Sequence, residues 1–200
     1  QKNPFLRWLL PAFGLVLAIV LAGVVWFYRI QHQEMRQVET QLQNITHLKV
    51  EQITAWRTER LGDAVVLTDS TFFVERLKYW FVTQKAEDAA EILIQLRSLQ
   101  KNYHYHDILL LDAGGKVRLS VNGRLAPLAK EEEQALALAL LERRPMLTDI
   151  HAHPGDLDAY LSIAVPFFAR DSKAGKPVGA AFLRLKTGQF LYPLFQSWPT

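Results

Sequence analysis

The chain has 200 residues, 23 Lys and Arg against 20 Asp and Glu, a formal net charge of +3 and no cysteine. Its charges are interspersed without a long basic block, which excludes an extended nucleic-acid surface. The missing cysteines exclude disulfide frameworks, thiolate metal sites and cysteine nucleophiles. There is no Gly-x-Ser-x-Gly elbow, His-Glu-x-x-His pair, dinucleotide fingerprint, or kinase or cyclase signature. With acidic residues scattered as well, neither catalysis nor a cofactor is expected of this stretch.

In chain order, the first element is Leu9–Tyr28, an uncharged run of 20 residues. At about 1.5 Å per helical residue it matches the roughly 30 Å hydrocarbon core of a bilayer. It is longer than the core of a secretory signal peptide and ends in Trp26, Phe27 and Tyr28, as an interfacial belt does. No small-x-small cleavage site follows, so a retained signal anchor is expected. Lys2 and Arg7 face Arg29 and Arg36 across the span. The expected orientation makes residues 1–8 a cytoplasmic stub and puts the rest outside the inner membrane, in the periplasm.

Residues 29–67 hold no proline and no glycine before Gly62, and are rich in Gln, Glu, Arg and Leu. One stalk helix is expected there, reaching some 55 Å from the bilayer. Val38, Leu42, Ile45, Leu48, Ile53 and Trp56 form an apolar stripe. That stripe can pack on the chain's own domain, pair with a second copy in a homodimer, or do both. Trp56, Arg57, Glu59 and Arg60 cluster at the top of the stalk, where Trp56 is expected to anchor it to the sheet.

Thr68–Thr71 breaks the helix, and Phe72, Phe73, Trp80 and Phe81 then read as the core face of a short second helix. A third helix is expected over 86–103. His106–Leu111, the turn Asp112-Ala-Gly-Gly and the alternation Val117, Leu119, Val121 read as a hairpin, closed by Asn122-Gly123. A helix over 130–144 opens with Glu131, Glu132 and Glu133, which suit the positive end of its dipole, and Pro145 ends it. Three strands follow, 146–152, 159–169 and 178–186. The expected class is α+β, a five-stranded antiparallel sheet with helices packed on one face.

A signal anchor, a long rising helix and then a hairpin, helix and three strands resemble the extracytoplasmic Cache domains, PAS-like sensor modules of bacterial transmembrane receptors. Leu109-Leu-Leu-Asp-Ala-Gly-Gly-Lys-Val resembles their strand-turn-strand core, Tyr160-Leu-Ser-Ile-Ala-Val-Pro-Phe-Phe their fourth strand and Val178-Gly-Ala-Ala-Phe-Leu-Arg-Leu their fifth. The tail Phe190-Leu-Tyr-Pro-Leu-Phe-Gln-Ser-Trp-Pro-Thr resembles the join between the two modules of double-Cache regions. The resemblance implies a transmembrane helix at 9–28, a stalk at 29–67, a Cache-like sensor domain at 68–187 and, at 188–200, a linker toward a second module. A histidine kinase or diguanylate cyclase output is implied beyond it. One departure matters: the Arg-x-Trp-Tyr element that grips amino-acid ligands is replaced here by Glu142-Arg-Arg-Pro-Met-Leu-Thr-Asp, which disfavours the amino-acid subfamily.

The resemblance also implies a ligand between the sheet face and the segments above it, with Arg143, Asp149, His151, Tyr160 and Ser162 as candidates. Arg143 can grip a carboxylate through its fork of donors and Asp149 can receive an ammonium; the alternative is that Arg143 closes its helix and Asp149 pairs with it. His104 and His106, like His151 and His153, stand at i and i+2, which on a strand puts both rings on one face. With Asp107, Asp149 and Asp156 nearby in sequence, the four imidazoles can assemble a transition-metal site, or they can be unrelated rim residues. The expectation is no metal. Ala113-Gly-Gly-Lys lacks phosphate-loop spacing. The function expected is ligand sensing by a membrane receptor, with a small molecule, the membrane and a second copy as partners. The alternatives are a ligandless dimerisation or docking module and a metal sensor.

Overall fold

The computed structural model describes the backbone of residues 4–153, 156–169 and 175–196, and side chains over 13–15, 17–28, 41–153, 156–169 and 175–193. It is α+β: α1 (Pro4–Asp69), α2 (Thr71–Thr83), α3 (Ala86–Tyr103), β1 (Asp107–Asp112), β2 (Val117–Ser120), α4 (Lys130–Glu142), β3 (Met146–Leu147), β4 (His151–Ala152), β5 (Ala159–Phe168), β6 (Pro177–Lys186) and α5 (Thr187–Gln196). The chain divides into two units, Gln1–Thr54 and Ala55–Thr200.

The first unit is helical. Its described apolar side chains from Phe13 to Tyr28 stand open, Phe13 71% exposed and Trp26 68%. Part of the expected span, the side chains of 9–12 and 16, lies outside the described residues. Among the described residues no helix is long and apolar enough to cross a membrane. Farther along, Leu42 and Leu48 of the stripe are also exposed, and the Val38 side chain lies outside the described residues.

In the second unit the strands pair antiparallel in the order β2-β1-β6-β5-β3, with β4 also on β5. Six strands replace the expected five, because 146–152 splits at Thr148. There the Thr148 N–H donates to the Ser162 carbonyl (2.8 Å) while its hydroxyl accepts from the Ser162 N–H (2.9 Å), so a side chain stands in for one rung of the ladder.

Alternation along the strands sorts two cores. Ile108, Leu110, Ile163, Val165 and Leu183 join Ala64 of α1, Phe73 and Leu77 of α2 and Ile92 of α3 on one face. Leu109, Leu111, Ala164, Ala180 and Phe182 meet Ala135, Leu136 and Ala139 of α4 on the other. Helices therefore cover both faces, not one as the chain order suggests. β5 and β6 are buried along nearly their whole length, and strands apolar on both sides need two covers. Phe72, expected in the core, is exposed and lies under the Arg76 guanidinium at 4.7 Å.

Two chain ends differ from expectation. α4 stops at Glu142, with Arg143 in the left-handed region (φ 55°), because Pro145 cannot continue a helix and restricts the residue before it. Within the stretch expected as a linker, α5 stacks Phe190 flat on Trp56 of α1, ring centroids 4.1 Å apart. Trp56 thus ties α1 to α5 at the margin of the first core.

Candidate functional site

On the α4 side of the sheet, polar residues replace apolar ones toward one end. Ser162 and Arg184 are register partners on β5 and β6, and Tyr160 and His151 are partners on β5 and β4. Above them sits Glu132 in the first turn of α4, fully buried. One of its oxygens accepts the Ala129 N–H at the helix start (3.0 Å) and the Arg184 Nη2 (2.7 Å); the other accepts Arg184 Nε (2.7 Å) and the Ser162 hydroxyl (3.0 Å). All four lone-pair directions of the carboxylate are used. Burial alone would raise the Glu132 pKa, but the facing His151, the Arg184 fork and the backbone N–H outweigh it and hold the carboxyl well below its usual range.

Two imidazoles face the same carboxylate. His151 Nε2 stands 3.6 Å from Glu132 Oε1 and His153 Nε2 stands 4.0 Å from it, both beyond hydrogen-bond length. Both nitrogens are buried without a hydrogen-bond partner. His151 Nδ1 lies 3.0 Å from the Asp149 carbonyl, which can only accept, so the Nδ1 proton is fixed there. Burial pulls the His151 pKa down, and the carboxylate and that carbonyl more than reverse it, leaving it raised. His153 is lowered, by burial and then by Arg184.

The Tyr160 ring packs against His153 (5.2 Å) and His106 (5.3 Å), and its hydroxyl donates to Asp156 at 2.5 Å. Burial and that carboxylate push the Tyr160 pKa up. The His106 pKa is lowered, by burial and then by Lys186.

The structure thus brings His151, Tyr160 and Ser162 together. It does not bring Arg143 or the Asp149 side chain to them. Arg143 stacks over Phe168 (4.0 Å) and donates to the Gly175 carbonyl (3.2 Å), lining a separate cleft of about 330 Å³ with Thr68, Asp69 and Glu75. Asp149 is exposed and enters the site through its carbonyl alone. Of the four-imidazole alternative, His151 and His153 meet, with ring centroids 5.3 Å apart. His104 instead ends α3 in the left-handed region, exposed.

Two residues at the centre were missed in sequence. Glu132 read as one of three dipole-favoured glutamates; Arg184 read as part of a strand. The available signal was Arg184 itself, a lone cation inside the apolar run Val178-Gly-Ala-Ala-Phe-Leu-Arg-Leu, since a charge on a strand buried on both faces needs a buried partner.

No family model matches the chain and no curated protein matches it. Solved structures do. The ligand-binding domain of a Pseudomonas aeruginosa amino-acid chemoreceptor in complex with GABA is 20% identical with a TM-score of 0.54, covering 80% of this chain and 65% of its own. That of a Campylobacter jejuni chemoreceptor in complex with L-norvaline is 12% identical with a TM-score of 0.57, covering 78% and 61%. The extracellular domain of a histidine kinase is 13% identical with a TM-score of 0.62, covering 80% and 63%. The chain spans a little under two thirds of each of these domains. Its fold is that of these chemoreceptor ligand-binding domains and of this histidine kinase extracellular domain, as its resemblance to Cache sensor modules implies.

Proposed function

We propose that the chain is the extracytoplasmic ligand-sensing module of a membrane receptor, with its site on the α4 face of the sheet around His151, Ser162 and Tyr160. The observation that carries this is the pair of buried, unpartnered imidazole nitrogens in a fold shared with ligand-binding domains. Such atoms are costly unless something pairs with them. What supports the membrane anchor is the apolar run Leu9–Tyr28 and the exposure of its described side chains. In this reading it spans the inner membrane, with the sensor domain in the periplasm. The exposed stripe residues Leu42 and Leu48 support a homodimer through the stalk.

The ligand shifts the balance between two arrangements of the module by binding one of them more tightly. The output, of histidine-kinase or diguanylate-cyclase type, then reads that balance. Arg143 and Asp149 belong to this proposal only as outlying contacts. The test is a thermal-shift screen of the full chain against organic acids, amines and metal ions, with GABA and L-norvaline included. An organic ligand is expected to raise the melting temperature, and Tyr160→Phe or Ser162→Ala to abolish that rise while both variants still melt cooperatively. No stabilising compound in a broad panel would overturn the sensing reading. It would favour a ligandless dimer module, to which the internally satisfied Glu132–Arg184 pair already lends support.

A further inference from the structure

We infer that Glu132, His151 and His153 form a binding site for a divalent transition-metal ion. One ligand atom from each, a carboxylate oxygen of Glu132 and a ring nitrogen of each histidine, all lie within 4.8 Å of one another, and the two Nε2 atoms stand 3.6 and 4.0 Å from Glu132 Oε1. Three ligands on a tetrahedral zinc ion, with bonds of about 2.0–2.2 Å, are separated by about 3.3 Å. The 3.6 Å separation therefore needs to close by about 0.3 Å and the 4.0 Å one by about 0.7 Å.

Proton placement points the same way. Because His151 Nδ1–H is committed to the Asp149 carbonyl, its neutral ring turns a lone pair toward a carboxylate oxygen. The His153 Nε2 converges on that oxygen too, also without a partner. A proton on His151 Nε2 would serve the His151–Glu132 edge alone, whereas a metal ion serves all three converging donors at once. A ligating histidine whose other nitrogen donates to a backbone carbonyl is the arrangement that orients imidazoles on metals.

The donor set selects the metal. Two imidazoles and one carboxylate suit zinc, cobalt, nickel or copper, whereas calcium and magnesium require oxygen ligands throughout. Three protein ligands leave a fourth position for water or a small anion. Glu132 Oε1 already accepts from Arg184 Nε and from the Ser162 hydroxyl. The ion takes the place of the hydroxyl, which is free to rotate, while Arg184 keeps its hold on Oε2 through Nη2. Arg184 also repels the ion, so the site is weaker than one built on an unpaired glutamate.

This deepens the sensing proposal and rests on it for what the binding event signals; the binding itself is tested without signalling. The full chain, stripped with EDTA, is titrated with Co²⁺ and followed by its visible absorption, then challenged with Zn²⁺, Mg²⁺ and Ca²⁺. One saturable cobalt site is expected, displaced by zinc and by neither alkaline-earth ion. His153→Ala, at a half-buried position, is expected to weaken cobalt binding by at least ~10–100-fold, the range lost when even a supporting group is removed. His104→Ala is expected to change nothing. Absence of cobalt bands in a cooperatively melting chain would overturn the inference. So would bands that survive in both His151→Ala and His153→Ala. A small-molecule hit without cobalt binding leaves the sensing proposal standing; cobalt binding with no change in melting or conformation removes metal sensing while the site remains.

Discussion

Replacing Arg184 with methionine keeps the bulk of the side chain and removes the charge that faces Glu132. Glu132 is fully buried, and two of its four hydrogen bonds, both 2.7 Å, come from this one guanidinium. Breaking a buried ion pair from one side typically costs about 3–5 kcal/mol, because it strands an uncompensated charge. For a domain of this size that is a fall of about 6–20 °C in melting temperature, at roughly 2–4 °C per kcal/mol. Glu132→Leu combined with Arg184→Met removes both charges and leaves only the Ala129 N–H and the Ser162 hydroxyl to find new partners. The double variant is therefore expected to be more stable than Arg184→Met alone. Urea denaturation followed by the fluorescence of the buried Trp80 measures all three chains.

The pH dependence supplies a second readout of the same pair. In the parent the Glu132 pKa is depressed below its ordinary value of 4.5, so the pair's stabilisation is present above pH 4.5 and is lost as pH falls through the lower folded value. In Arg184→Met the pKa rises from its depressed position toward the ordinary value, because burial is then opposed only by His151 and by the hydrogen bonds from Ala129 and Ser162. Less of the carboxylate's stabilisation above pH 4.5 remains, and the gap to the parent narrows in acid. A gap that is independent of pH, or a double variant no more stable than the single, would refute the claim that stranded charge is the cause.

Three further outcomes are expected. Gly179→Ala on β6 brings a Cβ onto the Leu111 carbonyl and to 2.8 Å from the Phe81 ring, an overpacking cost of about 1–3 kcal/mol by chemical denaturation. Thr148→Val removes the acceptor for the buried Ser162 N–H and should cost about 1–3 kcal/mol; hydrogen exchange at Ser162 should rise before global unfolding. The full chain is expected in the membrane fraction, resisting alkaline wash, and Leu21→Arg to weaken insertion by about 2.5–3.5 kcal/mol. Parent chain recovered wholly in the soluble fraction would remove the anchor from the proposal.

Local chemistry made most of the fold legible. The helix over 86–103 and the hairpin could be placed from periodicity and turn residues. In the hairpin the Asp112 carboxylate accepts the Gly114 and Lys116 N–H groups (3.0 and 3.1 Å) and Gly115 takes φ 79°, as that turn demands. What could not be read were facts of pairing across distance. Nothing local to 146–152 says that a threonine hydroxyl will replace a ladder bond. Nothing local to Glu131-Glu132-Glu133 says which glutamate turns inward, because that choice depends on where β6 carries Arg184, 52 residues on. The site residues that were found, His151, Tyr160 and Ser162, were legible only through the resemblance to Cache modules, which implies a ligand against the sheet face. Arg143 went elsewhere because Pro145 ends α4 early and turns its side chain onto Phe168.

The connection between the site and the ends of the second unit yields the most direct test of the sensing proposal. Arg184 holds Glu132 from β6, and β6 ends at Lys186, where α5 begins at Thr187 with no intervening loop. At about 3.3 Å per strand residue, only some 10 Å of extended backbone separates the guanidinium's residue from the helix. That junction is pinned: Lys186 pairs with Asp158 at 2.5 Å and the Thr187 hydroxyl donates to the Ala159 carbonyl at 3.0 Å. A displacement of Arg184 therefore has no slack to absorb it before it reaches Phe190 and, through the flat stack, Trp56 on α1. Phe190→Ala removes that contact. Its ring is half-buried, so the cost is expected at roughly 2 kcal/mol, about half the range for a fully buried phenylalanine. Backbone exchange in α5 should accelerate while β5 and β6 stay protected. If zinc or another stabilising ligand shifts Trp56 fluorescence in the parent, Phe190→Ala should bind that ligand within a few-fold as tightly and lose the Trp56 response. Retention of the response would mean that the change reaches α1 through α2 and α3 across the first core, and the β6–α5 route would have to be abandoned.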